Sequence, residues 1–221
     1  MKDLRLPVLF AVVGAATVAV AGASGHDELP APAPHFRLLE PISWLVESDR
    51  GDPQKTGPCG GSNTDWGKPS NAVNEAMGGQ MLHIKLEETV YHPGHYRVAL
   101  AQSMHELPPD PKATTRPDSV RGPMSVSAEI QNPPVAPVLA DGLFVHNTRP
   151  PAGAPRNTFE TDVRLPNIDC ERCVLQVVQF MEEHAFNNPG GFSYHHCAIM
   201  KITADPAKPL DTRWPAQRAT N

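Results

Sequence analysis

Alternation of hydrophobic and polar residues is the main structural signal in this chain, and its period of two residues predicts β-strands. Residues 80–90 show it best, because one face is largely polar while the other carries Leu82, Ile84 and Leu86. Shorter apolar runs predict six further strands, which we place at residues 36–39, 96–101, 125–130, 158–165, 174–181 and 197–202.

A long apolar repeat of 3.6 residues, which would predict a helix, is not found. Residues 174–184 come closest, but the β-branched side chains of Val174, Val177 and Val178 favour a strand. The 25 prolines suit long loops, which we assign to residues 102–122 and 131–156. The pattern therefore predicts an all-β fold, an antiparallel β-sandwich with Greek-key-like connections and long loops.

The beginning of the chain has the features of a secretory signal. A basic start precedes an uncharged apolar run over residues 6–20, and small residues follow up to Ala23. A membrane anchor is the alternative, but this run is short for a bilayer span of about 20 residues. We therefore predict a signal peptide at 1–23, a proline-rich spacer at 24–34, a domain at 35–204 and a loosely attached tail at 205–221. The mature protein is expected to be secreted or periplasmic, without a membrane partner.

Charge and cysteine content narrow the class of protein. A formal net charge of −5 without a basic stripe argues against nucleic acid as a partner. Four cysteines in an exported chain predict disulfides, with Cys170 and Cys173 as a local bridge that leaves Cys59 with Cys197. A four-cysteine zinc site and a redox-active CxxC pair are the lesser alternatives, since only one CxxC is present and no βαβ pattern surrounds it.

Histidines concentrate in two short segments that also contain tyrosine. Residues 91–98 hold His92 and His95, and residues 192–197 hold His195 and His196 beside a cysteine. Imidazole nitrogen is a strong ligand for copper and zinc. We predict that the fold joins the two segments, together with His35, into one metal site. The remaining histidines His83, His105, His146 and His184 are expected on the surface or in loops.

Several short motifs together resemble a known family. They are His35-Phe36-Arg37-Leu38-Leu39-Glu40-Pro41, Gly51-Asp52-Pro53-Gln54-Lys55, Gly57-Pro58-Cys59-Gly60, His92-Pro93-Gly94-His95-Tyr96-Arg97-Val98-Ala99, Leu139-Ala140-Asp141-Gly142, Cys173-Val174-Leu175-Gln176 and Tyr194-His195-His196-Cys197. As a set they are similar to a secreted bacterial family described as polysaccharide monooxygenase-like, which is related to the lytic polysaccharide monooxygenases. The likeness runs from about residue 35 to residue 202.

The resemblance implies an immunoglobulin-like or fibronectin-like sandwich with one copper ion in a histidine brace. In such a brace the amine and ring of an N-terminal histidine and the ring of a second histidine bind the metal. His35 matches the first histidine, His92 the second and Tyr194 the axial position. Cys197 would then form a disulfide with Cys59. The resemblance also suggests catalytic roles for Tyr194 and for His95 and His196, with His195 nearby.

A brace requires that His35 carries a free amine, which leaves three alternatives for the mature start. Signal peptidase favours a cut after Ala23, which would expose Ser24, and a cut after Gly25 would expose His26. Further trimming would expose His35, which fits the family best.

We expect a monomeric copper-dependent monooxygenase that uses an external electron donor and acts on a polysaccharide such as chitin or cellulose. A copper carrier without turnover and an adhesion module are the other hypotheses. Trp44 and Trp66 are expected to pack under loops instead of forming a flat sugar-stacking face, although Trp66, which stands among Gly, Asn and Asp, could be exposed.

Overall fold

A computed structural model describes residues 35–62 and 65–214. The predicted signal peptide and spacer lie outside the described residues. The strands are β1 (Phe36–Glu40), β2 (Asn74–Met77), β3 (Met81–Glu88), β4 (Gly94–Ala101), β5 (Ala113–Arg116), β6 (Met124–Ala128), β7 (Val138–His146), β8 (Asn157–Arg164), β9 (Cys170–Met181) and β10 (Ser193–Thr203), with a 3₁₀ turn at Met104–Glu106.

Two sheets face each other across one hydrophobic core. The first has the strand order β1-β3-β8, the second has the order β2-β10-β9-β4-β7, and β5 and β6 form a separate hairpin. The predicted all-β sandwich is thereby confirmed. Every strand pair is antiparallel except β2 with β10, which is parallel.

The alternation read from the sequence decides which side chains enter the core. Ile84 and Leu86 of β3 are fully buried against Val98 of β4 and Val177 of β9. The same two-residue period places Glu88, the last residue of β3, on the buried face. The sandwich therefore carries a charged group at the end of an otherwise apolar face.

Three strands were missed in the sequence, each for a physical reason. β2 is short and polar on its outer side, so it shows no apolar run. β5 and β7 lie within the segments predicted to be loops, 102–122 and 131–156, and both predictions were too broad. β7 contains Asp141-Gly142 in its centre, which interrupts the alternation, and its pairing with β4 is irregular at three places.

The end of the chain is more firmly attached than predicted. The amide of Asn167 donates to the carbonyls of Asp205, Lys208 and Pro209. The indole of Trp214 is buried and donates to Leu100 O at 2.9 Å. Residues 205–214 thus belong to the folded domain, and residues 215–221 lie outside the described part.

Both predicted disulfides are present, Cys59–Cys197 and Cys170–Cys173. Such bonds are typical of oxidising compartments. In the described ranges, no helix has the length and apolar character needed to cross a membrane.

Candidate metal centre

The inner face of the five-stranded sheet becomes polar at one end. Tyr96, Gln179 and Tyr194 lie side by side on β4, β9 and β10, as the strand register shows. All three are buried. Side chains directly opposite each other in neighbouring strands share a face, so these residues form the floor of the candidate site.

His35 precedes β1 at this end, and the backbone around it is held by several hydrogen bonds. The carbonyl of His35 accepts from the backbone and hydroxyl of Thr89 at 2.9 and 2.8 Å and from Val90 N at 3.1 Å. Phe36 N donates to the buried side chain of Gln54 at 3.1 Å. The main chain that carries the His35 ring is therefore held in place at this end of the sandwich.

His92 lies in the turn between β3 and β4. Its backbone N–H donates to Glu88 Oε1 at 3.0 Å. Two residues later Gly94 has a φ of 148°, and a Cβ there would lie 2.0 Å from Phe180 O. The glycine of the His-Pro-Gly motif is thus required by close backbone contact, which brings the turn onto the end of β9.

Three imidazole rings meet at Tyr194 of this floor, and we call His35, His92, His184 and Tyr194 the imidazole cluster. The ring of Tyr194 has its centroid 5.3 Å from His35, 6.5 Å from His92 and 6.5 Å from His184. The rings of His92 and His184 are 4.9 Å apart. The structure therefore brings together all three residues predicted to bind the metal.

The imidazoles of the cluster are neutral at physiological pH. Burial, followed by the charges of Lys55 and Arg50, lowers the pKa of His35 to about 4. Burial, followed by the neighbouring His184 and His35, lowers the pKa of His92 to about 3. Burial also raises the pKa of Tyr194. Neutral rings offer lone pairs to a metal, and the phenol keeps its proton.

Two of these rings have nitrogens without partners. Nε2 of His35 and Nε2 of His92 are buried and accept or donate no hydrogen bond among the described residues. Nδ1 of His35 lies 3.0 Å from Asp52 Oδ2, although the alignment does not meet hydrogen-bond geometry. Buried polar atoms are normally satisfied, so these unpaired nitrogens are available to a ligand.

His184 lies in a loop, as expected, but its ring is half-buried against the cluster, which the sequence did not indicate. Its Nδ1 donates to Ala185 O at 2.6 Å, and its backbone N–H donates to Ser125 Oγ at 3.1 Å. Glu183, just before it, has a φ of 52°. A positive φ in a non-glycine residue costs energy and persists where surrounding contacts enforce it. No periodicity signals this residue, because it lies in the loop between β9 and β10.

Glu88 and His146 form a buried pair behind His92. Glu88 accepts hydrogen bonds from His92 N, His146 Nε2, Gln179 Nε2 and Asn157 Nδ2, at 3.0, 3.0, 3.3 and 2.9 Å. Although burial lowers the pKa of His146, hydrogen bonds to Glu88 and to Phe144 O raise it above its ordinary value. The pair therefore fixes the turn that carries His92.

His196 occupies the inner face but supports β1 instead of facing the cluster. Its Nε2 donates to Phe36 O at 3.0 Å, and Nδ1 lies 3.1 Å from Glu47 Oε1. Burial lowers the pKa of His196 to about 3 and raises that of Glu47 to about 7. Both ring nitrogens face protein groups, which leaves the predicted catalytic role without support.

His95 and His195 lie on the opposite face of the sheet from Tyr194, because they alternate with inner-face residues. Nε2 of His95 is 3.9 Å from Asp141 Oδ1, and Nε2 of His195 is 2.7 Å from Asp110 Oδ1. The structure therefore does not bring His95 into the imidazole cluster, although the sequence suggested a catalytic role for it.

Among the described residues, no group of three or more His, Cys, Asp or Glu side chains is arranged to hold a metal ion. No protein-family model matches the chain, and no curated protein matches it significantly.

Proposed function

We propose that this protein is a secreted copper-dependent monooxygenase of the polysaccharide monooxygenase-like type, with His35 and His92 as ring ligands beside Tyr194. The observation that carries the proposal is a pair of buried, neutral imidazoles against one buried tyrosine: both ring nitrogens of His35 and Nε2 of His92 are without hydrogen-bond partners among the described residues. A histidine brace uses two imidazoles and one terminal amine, so it does not need a third side chain.

The donor set fits copper. Imidazole nitrogen suits copper, and the rings of His35 and His92 would supply it. When bound, copper supplies the redox chemistry; with peroxide the balanced reaction is R–H + H₂O₂ → R–OH + H₂O, after which the hydroxylated sugar breaks its glycosidic bond. The same oxidation with O₂ consumes two electrons and two protons from an external donor.

The protein's own residues position the ligands. Nδ1 of His35 can chelate together with the amine of the same residue, and the Asp52 carboxylate beside it is 45% exposed, so it is free to turn away. Glu88 and His146 hold the backbone of His92. Tyr194 closes one side of the site with a protonated phenol.

Copper titration of the mature protein, with its N-terminus defined by intact mass, tests this proposal. We expect one copper per chain, an axial electron paramagnetic resonance signal with three nitrogens, and loss of that signal in His92→Ala. His83→Ala is the matched control, because His83 is an exposed histidine on β3. Copper binding that survives His92→Ala, or does not occur at all, contradicts the site.

Turnover is measured separately. Incubation of the copper-loaded protein with a reductant or peroxide and a polysaccharide is expected to release oxidised oligosaccharides. Copper binding without oxidised products would identify a carrier instead of an enzyme.

A further inference from the structure

We propose that the cleft beside the imidazole cluster binds an anionic saccharide, one that bears carboxylate or sulfate groups. The inference rests on the proposed function in taking the ligand to be a saccharide, and it names the chemical class of that ligand. It is carried by the shape of the cleft and by two arginines, Arg121 and Arg149, that form no ion pair with any carboxylate of the described residues.

The cleft opens directly onto two rings of the cluster. It has a volume of about 460 Å³, and its wall includes His92, His184, Tyr91, Arg121 and Arg149. The guanidinium carbon of Arg149 lies 4.9 Å from the centre of the Tyr91 ring. A guanidinium stacked on an aromatic ring keeps its in-plane N–H groups free for bidentate binding of a carboxylate or sulfate.

Four basic side chains lie around the site without a close ion pair to another described residue. Arg50, Lys55, Arg121 and Arg149 are close enough to the cluster to lower the pKa of its imidazoles, after the larger effect of burial. None of the four forms an ion pair with a carboxylate of the described residues, whereas Arg116 pairs with Glu183 and Arg156 pairs with Glu87.

Acidic groups in the cleft only partly offset this charge. Glu183 is engaged by Arg116, which leaves Glu182 against Arg121 and Arg149. The whole chain has a formal net charge of −5. Basic side chains without an ion pair at this place therefore contrast with the acidic balance of the chain as a whole. Arg121 and Arg149 form no ion pair within the described part of the chain, so their guanidinium groups remain available to an anionic ligand.

Binding to the metal-free protein tests the inference independently of copper. The probes are tetragalacturonate for carboxylate, a sulfated heparin tetrasaccharide for sulfate, and chitotetraose and cellotetraose as neutral ligands, measured by calorimetry. We expect at least one anionic probe to bind more tightly than both neutral ones, and more weakly at higher ionic strength. Which anionic probe binds identifies the group that the guanidinium groups recognise.

Arg149→Ala and Arg121→Ala are each expected to weaken that binding about tenfold, the effect of losing one charge-assisted contact. Arg172→Ala is the matched control, because Arg172 is an exposed arginine near the start of β9, whereas the cleft lies beyond its end. Equal binding of neutral and anionic probes, no binding of any probe, or equal effects of all three substitutions would overturn the inference.

The outcome is separable from that of the copper experiment. If an anionic probe binds in a way that depends on Arg149 but copper does not bind, the anionic-ligand site is supported and the copper site is rejected. If copper binds but no anionic probe does, the copper site is supported and the anionic-ligand site is rejected.

Discussion

Glu88 offers the sharpest test of how the candidate site is built, through the substitution Glu88→Gln. Its side chain is 1% exposed and accepts four hydrogen bonds, one of them from His146, which also donates to Phe144 O. A His146 ring that donates from both nitrogens is an imidazolium, and Glu88 is its counter-ion. The amide in Glu88→Gln keeps the shape but removes the charge.

The expected cost follows from burial. Removing one partner of a buried ion pair costs about 3–5 kcal/mol, and we take about 3 kcal/mol because His146 remains 14% exposed. In a domain of this size that loss corresponds to a decrease in Tm of roughly 6–12 °C. Because His92 N–H loses a charged acceptor, copper affinity is expected to fall about tenfold or more.

The neighbouring residue supplies the control. Glu87 lies on the outer face of β3 and pairs with Arg37 and Arg156, so Glu87→Gln is expected to cost less than about 1 kcal/mol. Urea unfolding measures both changes, and nuclear magnetic resonance titration is expected to show a lower pKa of His146 only in Glu88→Gln. Equal stability of the two variants, or an unchanged His146 pKa, would refute the argument.

Two further predictions concern pH and the backbone beside His35. Between about pH 6.5 and 4, His35, His92 and His196 are protonated in the unfolded chain but neutral in the folded protein. Glu47 is protonated in the folded protein but ionised in the unfolded chain. The unfolded chain therefore binds about two more protons than the folded protein. The free energy of unfolding should fall by about 2–3 kcal/mol per pH unit in that range, and a flat urea-unfolding profile from pH 7 to about 5 would contradict it. Gly51→Ala places a Cβ 1.8 Å from Phe36 O at a φ of 93°, whereas Gly153→Ala at a φ of 81° has nothing within 4 Å. The first should destabilise the domain by more than the ~1–2 kcal/mol expected of the second, and equal thermal shifts would show that β1 yields to the added methyl group.

Alternation along the chain was sufficient for the fold class and for much of the core. Seven predicted strands correspond to β1, β3, β4, β6, β8, β9 and β10, and the phase of Ile84 and Leu86 correctly identified the buried face. The same phase places Glu88 on the inward face together with Ile84 and Leu86. Both disulfides were also predicted, because four cysteines that include one close pair leave few pairings.

The composition of the imidazole cluster depended on tertiary structure. His35, His92 and Tyr194 were predicted to be neighbours, and their rings meet where the start of β1, the turn between β3 and β4, and β10 come together. His184 joined them because a positive φ at Glu183 and contacts with Ser125 direct its loop, and neither leaves a periodic signal.

His95 and His196 show the converse, because proximity in sequence to His92 and Tyr194 did not give proximity in space. Consecutive residues of a strand point to opposite faces, so His95 lies across the sheet from the cluster. His196 shares the face of Tyr194 but is turned to Phe36 and Glu47. The local pattern of the chain determined strands, buried positions and disulfides, since these follow from the period of side chains and the number of thiols. Which rings converge was decided only by strand register and loop conformation, which depend on contacts between residues distant in sequence.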